Sequence, residues 1–278
     1  MSLLYTRIAA SRRRIDPDAA DYIAAVELSL GYAVSNIKKS AISSFIKIEQ
    51  ASGRWNASGR FFFPIWEQAA ANAICMKTQT SGTFSGGVTH GAGFVQGNGS
   101  NGHFSYGVNP ADIGITSNSG TIFFLSITTP TNSSFPGHIG CRQGSNAGVT
   151  GGISILSSGN FVSGVSTDQS SNQQVSVAAL GGSTLGLYVT TRRTSTDMQA
   201  YARRSSGMVT GTQSTALSGE PSSRILWGLG MNGETAFRSN GKQGFYGAVD
   251  IGLSGEQVEA FTLNLKTLWE TCTGLTLP

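Results

Sequence analysis

Residues 185–204 read LGLYVTTRRTSTDMQAYARR. Two short runs rich in β-branched and aromatic residues, 185–192 and 198–203, flank a polar turn segment, and that pattern predicts a pair of strands. The same signal recurs at 121–128 (TIFFLSIT), 152–156, 174–180, 225–229 and 245–251, with Gly/Ser/Asn-rich stretches between. Residues 81–250 hold 31 of the 37 glycines and only 14 charged residues. Short strands separated by turns, with no helices alternating between them, predict an antiparallel sandwich and disfavour a parallel α/β sheet.

The flanks read as helical. Asp16 and Pro17 suit an N-cap and first turn, Ala19, Tyr22, Ile23, Val26 and Leu30 share one face, and Gly31 is a stop. A second helix is expected over 35–51, with Val34, Ile37, Ala41, Phe45 and Ile48 as its apolar stripe, and a third over 65–76 after Pro64. Ser254 and Gln257 fit a capping box ahead of a closing helix, with Val258, Phe261, Leu265, Leu268 and Cys272 on one stripe, Trp269 beside it and Gly274 as its end. The expected organisation is an arm and helical attachment segment over 1–80, then a β-sandwich with a C-terminal helix over 81–278.

Composition narrows the function classes. The 278 residues carry 12% charged and 39% hydrophobic side chains, against wholesale disorder. No apolar run reaches the roughly 18 residues of a membrane span, and residues 1–15 lack the apolar core of a secretory signal. Cys75, Cys141 and Cys272 are odd in number and far apart, which argues against a disulfide framework or a paired zinc site and for free thiols in a reducing cytosol. The net charge of +4 lies entirely in residues 1–80, with ten Lys/Arg against six Asp/Glu; the remainder is neutral. A basic start on a neutral body suggests an attachment segment rather than a nucleic-acid-binding protein. Arg12, Arg13 and Arg14, with Phe61, Phe62, Phe63 and Trp66, are the candidate docking residues. Three adjacent phenylalanines call for a cover, either the β domain or a neighbouring subunit.

Catalytic and cofactor signals are weak. Gly97–Gly102 matches G-x-G-x-x-G, but an alternating HFSY follows it where dinucleotide binding needs a helix. His90, His103 and His138 have no second ligand at metal spacing. The acidic residues of the β region, Asp112, Asp168, Asp197, Glu220, Glu234 and Asp250, form no E-x-D-x-x-E triplet, and no G-x-S-x-G elbow is present. No enzyme and no cofactor is therefore expected. Arg192-Arg193 and Arg203-Arg204 are expected at matching strand ends, as a four-arginine edge that deters edge-to-edge pairing, the alternative being a patch for phosphate or an acidic glycan.

Three stretches carry a family resemblance: DAADYIAAVE (18–27) followed by SAISSFI (40–46); GFVQGNGSNGHF (93–104) with NPAD (109–112); and the pattern 186–204 followed by GFYGAVDIGLSGEQVEAF (244–261). Together they resemble bacteriophage and prophage virion proteins that pair an N-terminal helical segment with a concanavalin A-like (laminin G-like) jelly roll. The resemblance implies a mainly β jelly-roll sandwich, preceded by helices and closed by one. It also implies a surface appendage of the virion, a head or tail fibre or spike, assembled in the bacterial cytoplasm. Its partners would be other virion proteins (capsid, portal or tail), sister copies with a trimer favoured, and host surface polysaccharide, but neither nucleic acid nor membrane. The alternatives are a capsid decoration (cement) protein without receptor binding and, third, a polysaccharide depolymerase. The resemblance supplies no catalytic residue, and no Asp/Asn/His cluster of the legume-lectin metal type is found.

Overall fold

The computed structural model describes residues 15–116, 118–131, 137–142, 149–155, 161–164, 183–213, 225–231 and 234–278. Local chemistry sets the helix ends. In α1 (Pro17–Leu30) the Asp16 carboxylate accepts from the Asp18 N–H, Pro17 occupies the first turn, and Gly31 at φ 75° closes the helix. Ser35 caps α2 (Asn36–Ala51). The third helix shrinks to one turn, α3 (Ala69–Asn72). Sheet-like bonding takes the backbone that a longer helix would need: Phe62 bridges Cys75, Ile74 bridges Ser81, and the Met76 N–H donates to Phe61 O at 2.7 Å. Helix α4 (Gly255–Thr273) has both halves of the Ser254–Gln257 capping box and ends at Gly274, φ 72°.

The strands are β1 (Gly59–Phe62), β2 (Thr83–Ser85), β3 (Val88–Gly91), β4 (Phe94–Gly97), β5 (His103–Ser105), β6 (Gly120–Ser126), β7 (Gly137–Arg142), β8 (Val149–Ile155), β9 (Phe161–Gly164), β10 (Gly186–Thr194), β11 (Asp197–Arg204), β12 (Gly207–Gln213), β13 (Trp227–Gly228), β14 (Gly230–Met231), β15 (Glu234–Arg238) and β16 (Lys242–Val249). The larger sheet runs β12-β11-β10-β6-β16-β4-β3, with β1 also paired to β16; the smaller runs β2-β5-β13-β7-β8-β9; β14 and β15 pair separately. The pairings are antiparallel. The expected run at 225–229 narrows to β13, and the run at 174–180 lies outside the described residues.

The chain is a mainly β sandwich of antiparallel sheets, with helices before and after it, as the sequence predicts. It stacks in three layers. The larger sheet is buried on both faces, because side chains alternate along a strand. Phe123, Leu125, Leu187, Val189 and Phe245 pack against α1, α2 and α4. Ile122, Phe124, Tyr188, Tyr246 and Ala248 pack against Phe104, Ile139, Cys141 and Leu226 of the smaller sheet. That double burial explains the unbroken apolar run of β6, which one-sided burial would have made alternate.

It also explains the three phenylalanines. Phe61 and Phe63 point into the helical core, and Phe62 points between the sheets. Phe61, Phe62, Phe63 and Trp66 keep 5%, 1%, 0% and 4% of their surface. The chain's own layers are the cover, so these four are core residues and not a docking surface. Residue 80 does not divide two cores either: β1 is a strand of the larger sheet, in register Phe61↔Gly247 and Phe62↔Tyr246.

Two further expectations are corrected. Leu187 pairs with Arg203 and Arg192 with Met198, so the arginine pairs sit at opposite ends of the β10–β11 hairpin. Arg192 is buried, Arg193 pairs with Asp197 at 2.5 Å, and Arg203 binds Thr262 Oγ1 at 2.7 Å as well as the Glu259 carboxylate. They tie layers and turns together and form no exposed edge. On α2 the buried face is Ile42, Ser43, Phe45, Ile46 and Glu49, whereas Ile37 and Ile48 of the expected stripe are exposed.

Candidate functional site

Seven of the eight exposed large hydrophobic side chains among the described residues lie on the helices or their flanks: Ile15, Leu28, Tyr32, Ile37, Ile48, Leu263 and Leu275. Leu28 is 87% and Ile37 67% exposed. Such a concentration on one layer is the mark of a contact surface, where scattered single residues would need no account. Helix α2 carries two apolar faces at once. One seals the core; the other, Ile37, Ala41 and Ile48, with the buried Phe45 at its base, lines an open groove of about 510 Å³ against Asn264, Thr267, Leu268 and Thr271 of α4. A buried ion pair holds the two helices in register. Arg54 grips Glu49 at 2.6 and 2.9 Å, and Asn264 Nδ2 donates to the same carboxylate at 2.7 Å.

The opposite surface is different in kind. Phe104, Leu226 and Ile139 of the smaller sheet face inward, so their register neighbours Ser105, Trp227 and Gly140 lie on the outer face. The His103 ring stacks on Trp227 with centroids 3.9 Å apart and planes 23° from parallel. The Arg238 guanidinium also lies over the indole, 4.3 Å from its centroid. Burial lowers the His103 pKa; the hydrogen bond to Asn101 O, 3.0 Å, opposes this, and Arg238 adds to the lowering. Thr83 pairs with Ser105 at the same level of the sheet. The result is a half-buried aromatic pair with hydroxyls around it and a cation against it, a set suited to the C–H faces and hydroxyls of a sugar ring.

The remaining sequence candidates resolve individually. Arg12, Arg13 and Arg14 lie outside the described residues, as do Asp168 and Glu220. The Gly97–Gly102 loop joins β4 to β5, with no helix after it. Asn98 Oδ1 accepts the N–H groups of Ser100, Asn101 and Gly102 at 2.9–3.0 Å, so the loop's donors are spent within it. That is not a phosphate cradle. His138 is buried, stacked on Phe124 and bonded through Nδ1 to Gln243 at 2.8 Å; burial pushes its pKa down to about 3. His90 Nδ1 meets Asn72 Nδ2 at 3.0 Å. No group of three or more His, Cys, Asp or Glu suited to a metal occurs among the described residues. No disulfide joins the buried Cys75, Cys141 and Cys272, and no described helix is long and apolar enough to cross a membrane.

Sequence reasoning placed His103 and the β13 run but did not join them, and it did not single out Trp227 or Arg238. The available signal was the alternation in HFSY, which sends His103 and Ser105 to one face. It also counted Ile37 and Ile48 as core. Their i, i+11 spacing, with Ala41 between, is helical, but periodicity alone cannot say whether a stripe is covered.

No family model and no curated protein matches the chain. Solved structures do. Trypanosoma rangeli sialidase matches with a TM-score of 0.52 at 10% identity, over 75% of this chain and 33% of that one. Its covalent intermediate with 2,3-difluorosialic acid matches at 0.51 and 10%, over 75% and 33%. A botulinum neurotoxin type C structure matches at 0.50 and 12%, over 77% and 53%. The chain thus spans about a third of the sialidase and half of the toxin chain. At such identities the likeness shows the fold, a β-sandwich. The expectation that the chain is not an enzyme is overturned: chains described as sialidases contain this architecture, so sparse acidic residues and a sandwich fold do not exclude catalysis.

Proposed function

We propose that the chain is a bacteriophage virion structural protein, a surface-exposed head or tail appendage. Its helical layer docks to the particle, and its jelly roll contacts host surface glycans. The observation that carries this reading is the three-layer order. The exposed apolar side chains of the helices and the His103–Trp227–Arg238 cluster lie on opposite sides of the larger sheet. A protein attached through its helices would turn the aromatic cluster outward. The sequence resemblance to phage appendages supports the virion half. For the glycan half, support comes from the aromatic–hydroxyl chemistry and from the fold shared with the botulinum neurotoxin type C chain, whose cell entry depends on interaction with two ganglioside molecules. A homotrimer with capsid, portal or tail partners belongs to the same proposal.

The test pairs two measurements. Cryo-EM of the phage encoding the chain is expected to reveal a projecting oligomer, helical layer proximal. On a glycan array, the recombinant protein is expected to bind and Trp227→Ala to lose binding. Density across capsomer junctions with no glycan bound would favour the cement protein instead. Absence from the particle would overturn the virion reading.

A further inference from the structure

Three polar side chains gather between the two sheets, inside an otherwise apolar core. His138 of β7 in the smaller sheet is bonded to Gln243 of β16 in the larger one, and Gln243 stands directly opposite Ser126 of β6. All three keep 0% of their surface. Phe124, stacked on the imidazole, and Val95, a register partner of Gln243, wall them with apolar surface.

The hydrogen bonds fix the role of each atom. Gln243 Nε2 lies 2.8 Å from His138 Nδ1 and 3.3 Å from His138 O. A carbonyl can only accept, so this end of the amide is its NH2 group, and Nδ1, reached by the same nitrogen, is the accepting ring nitrogen. Burial pushes the His138 pKa down to about 3, so at neutral pH the ring carries one proton. That proton is on Nε2. The His138 Nε2–H donor, the Gln243 Oε1 acceptor and the Ser126 hydroxyl are then each buried and without a partner among the described residues. In native proteins such groups are paired, with protein or with ordered water.

We propose that this site binds one water molecule, which accepts from His138 Nε2–H, donates to Gln243 Oε1 and bonds the Ser126 hydroxyl. Three partners is the usual number for an internal water. The chemistry selects it: a cation would meet the Nε2–H donor, an anion would meet the Oε1 acceptor, and only a molecule that both accepts and donates serves all three. The spacing suits it too. Opposite Cβ atoms on neighbouring strands stand about 4.5–5.5 Å apart, and two hydrogen bonds of about 2.8 Å end to end bridge up to about 5.6 Å. Seated there, the water ties β6 and β16 of the larger sheet to β7 of the smaller. The inference rests on the inter-sheet core alone and is independent of the virion reading.

The test is nuclear magnetic resonance on the full chain with isotope-labelled histidine, joined to a crystal structure. His138 is expected as the Nε2–H tautomer at neutral pH, with cross-relaxation from that proton to a long-lived water. The crystal is expected to hold an ordered water within about 3.2 Å of all three atoms. Ser126→Val puts methyl groups into the site and is expected to abolish the water cross-peak while His138 keeps its tautomer. An Nδ1–H tautomer overturns the proposal, because Gln243 would then be turned round and the donor set reversed. So does an Nε2–H proton with no water contact in the unaltered chain, or a crystal structure in which His138 Nε2 meets a protein atom. A cross-peak that survives Ser126→Val overturns it as well. If that variant fails to fold, the tautomer and the water contact of the unaltered chain decide alone.

Discussion

Replacing Arg54 with alanine would test what fixes the outer helical surface. Glu49 keeps 2% of its side-chain surface and Arg54 9%, with two hydrogen bonds of 2.6 and 2.9 Å between them. The carboxylate also accepts from Asn264 of α4 at 2.7 Å, so it is the polar joint between α2 and α4. Removing the guanidinium leaves a buried carboxylate with one amide donor, and breaking a buried pair from one side costs about 3–5 kcal/mol. With a urea slope of about 3 kcal/mol/M, the unfolding midpoint falls by about 1–1.7 M. The double variant Glu49→Met with Arg54→Met leaves no buried charge, so its cost is the lost hydrogen bond of the half-buried Asn264 amide, about 0.5–1.5 kcal/mol. The order matters more than either value: the double variant is expected to be more stable than Arg54→Ala alone. Urea titration followed by tryptophan fluorescence reads both, since Trp55 packs on Phe45 beside the pair. A midpoint shift below about 0.3 M for Arg54→Ala, the scale of a surface ion pair, would refute the reasoning.

Other substitutions probe the layers separately. A Cβ at Gly247 would lie 2.4 Å from Phe123 Cζ and 2.6 Å from the Arg60 carbonyl, where β1 joins the larger sheet; Gly247→Ala is expected to cost about 1–3 kcal/mol by overpacking, read as a lower thermal midpoint. His138 has its folded pKa lowered to about 3, below the unfolded 6.5, so its contribution is present above pH 6.5 and lost as pH falls towards 3. The acid limb of the stability profile is expected to carry up to about 1.4 kcal/mol per pH unit from this residue, and to flatten in His138→Leu; an unchanged limb would contradict it. Ile37→Ser and Leu28→Ser remove exposed side chains and are expected to change stability by no more than about 0.5 kcal/mol while weakening attachment to particles in co-sedimentation.

The fold was legible wherever a local signal and a buried partner agreed. Asp16, Pro17 and Gly31 bounded α1, and Ser254, Gln257 and Gly274 bounded α4, because caps are decided within a few residues. The long strands β6, β10, β11 and β16 stood out by their β-branched and aromatic residues between turn signals, and β6, buried on both faces, by its unbroken Ile-Phe-Phe-Leu run. The third helix was misread for the opposite reason. Ile65, Ala69, Ala73 and Met76 have helical spacing, yet Phe61, Phe62 and Ser81, which flank that stretch, claim the backbone of residues 74–76. Tertiary bonding overrode a marginal local preference.

The candidate surfaces were harder to read, because each depends on which layer covers which residue. FFF at 61–63 looked like a surface in search of a partner, but a strand between two apolar layers needs three such residues in a row. Conversely, Ile37 and Ile48 looked like core. They lie on the second apolar face of a helix whose first face, Ile42, Phe45 and Ile46, already meets the core. A helix with one apolar stripe is satisfied by packing on a sheet; one with two demands a second neighbour. Helix α4 covers part of that second face and leaves the groove open. The excess apolar periodicity of α2 thus marks a second face that no described layer fully covers, and it becomes readable only once the sheet beneath has been counted.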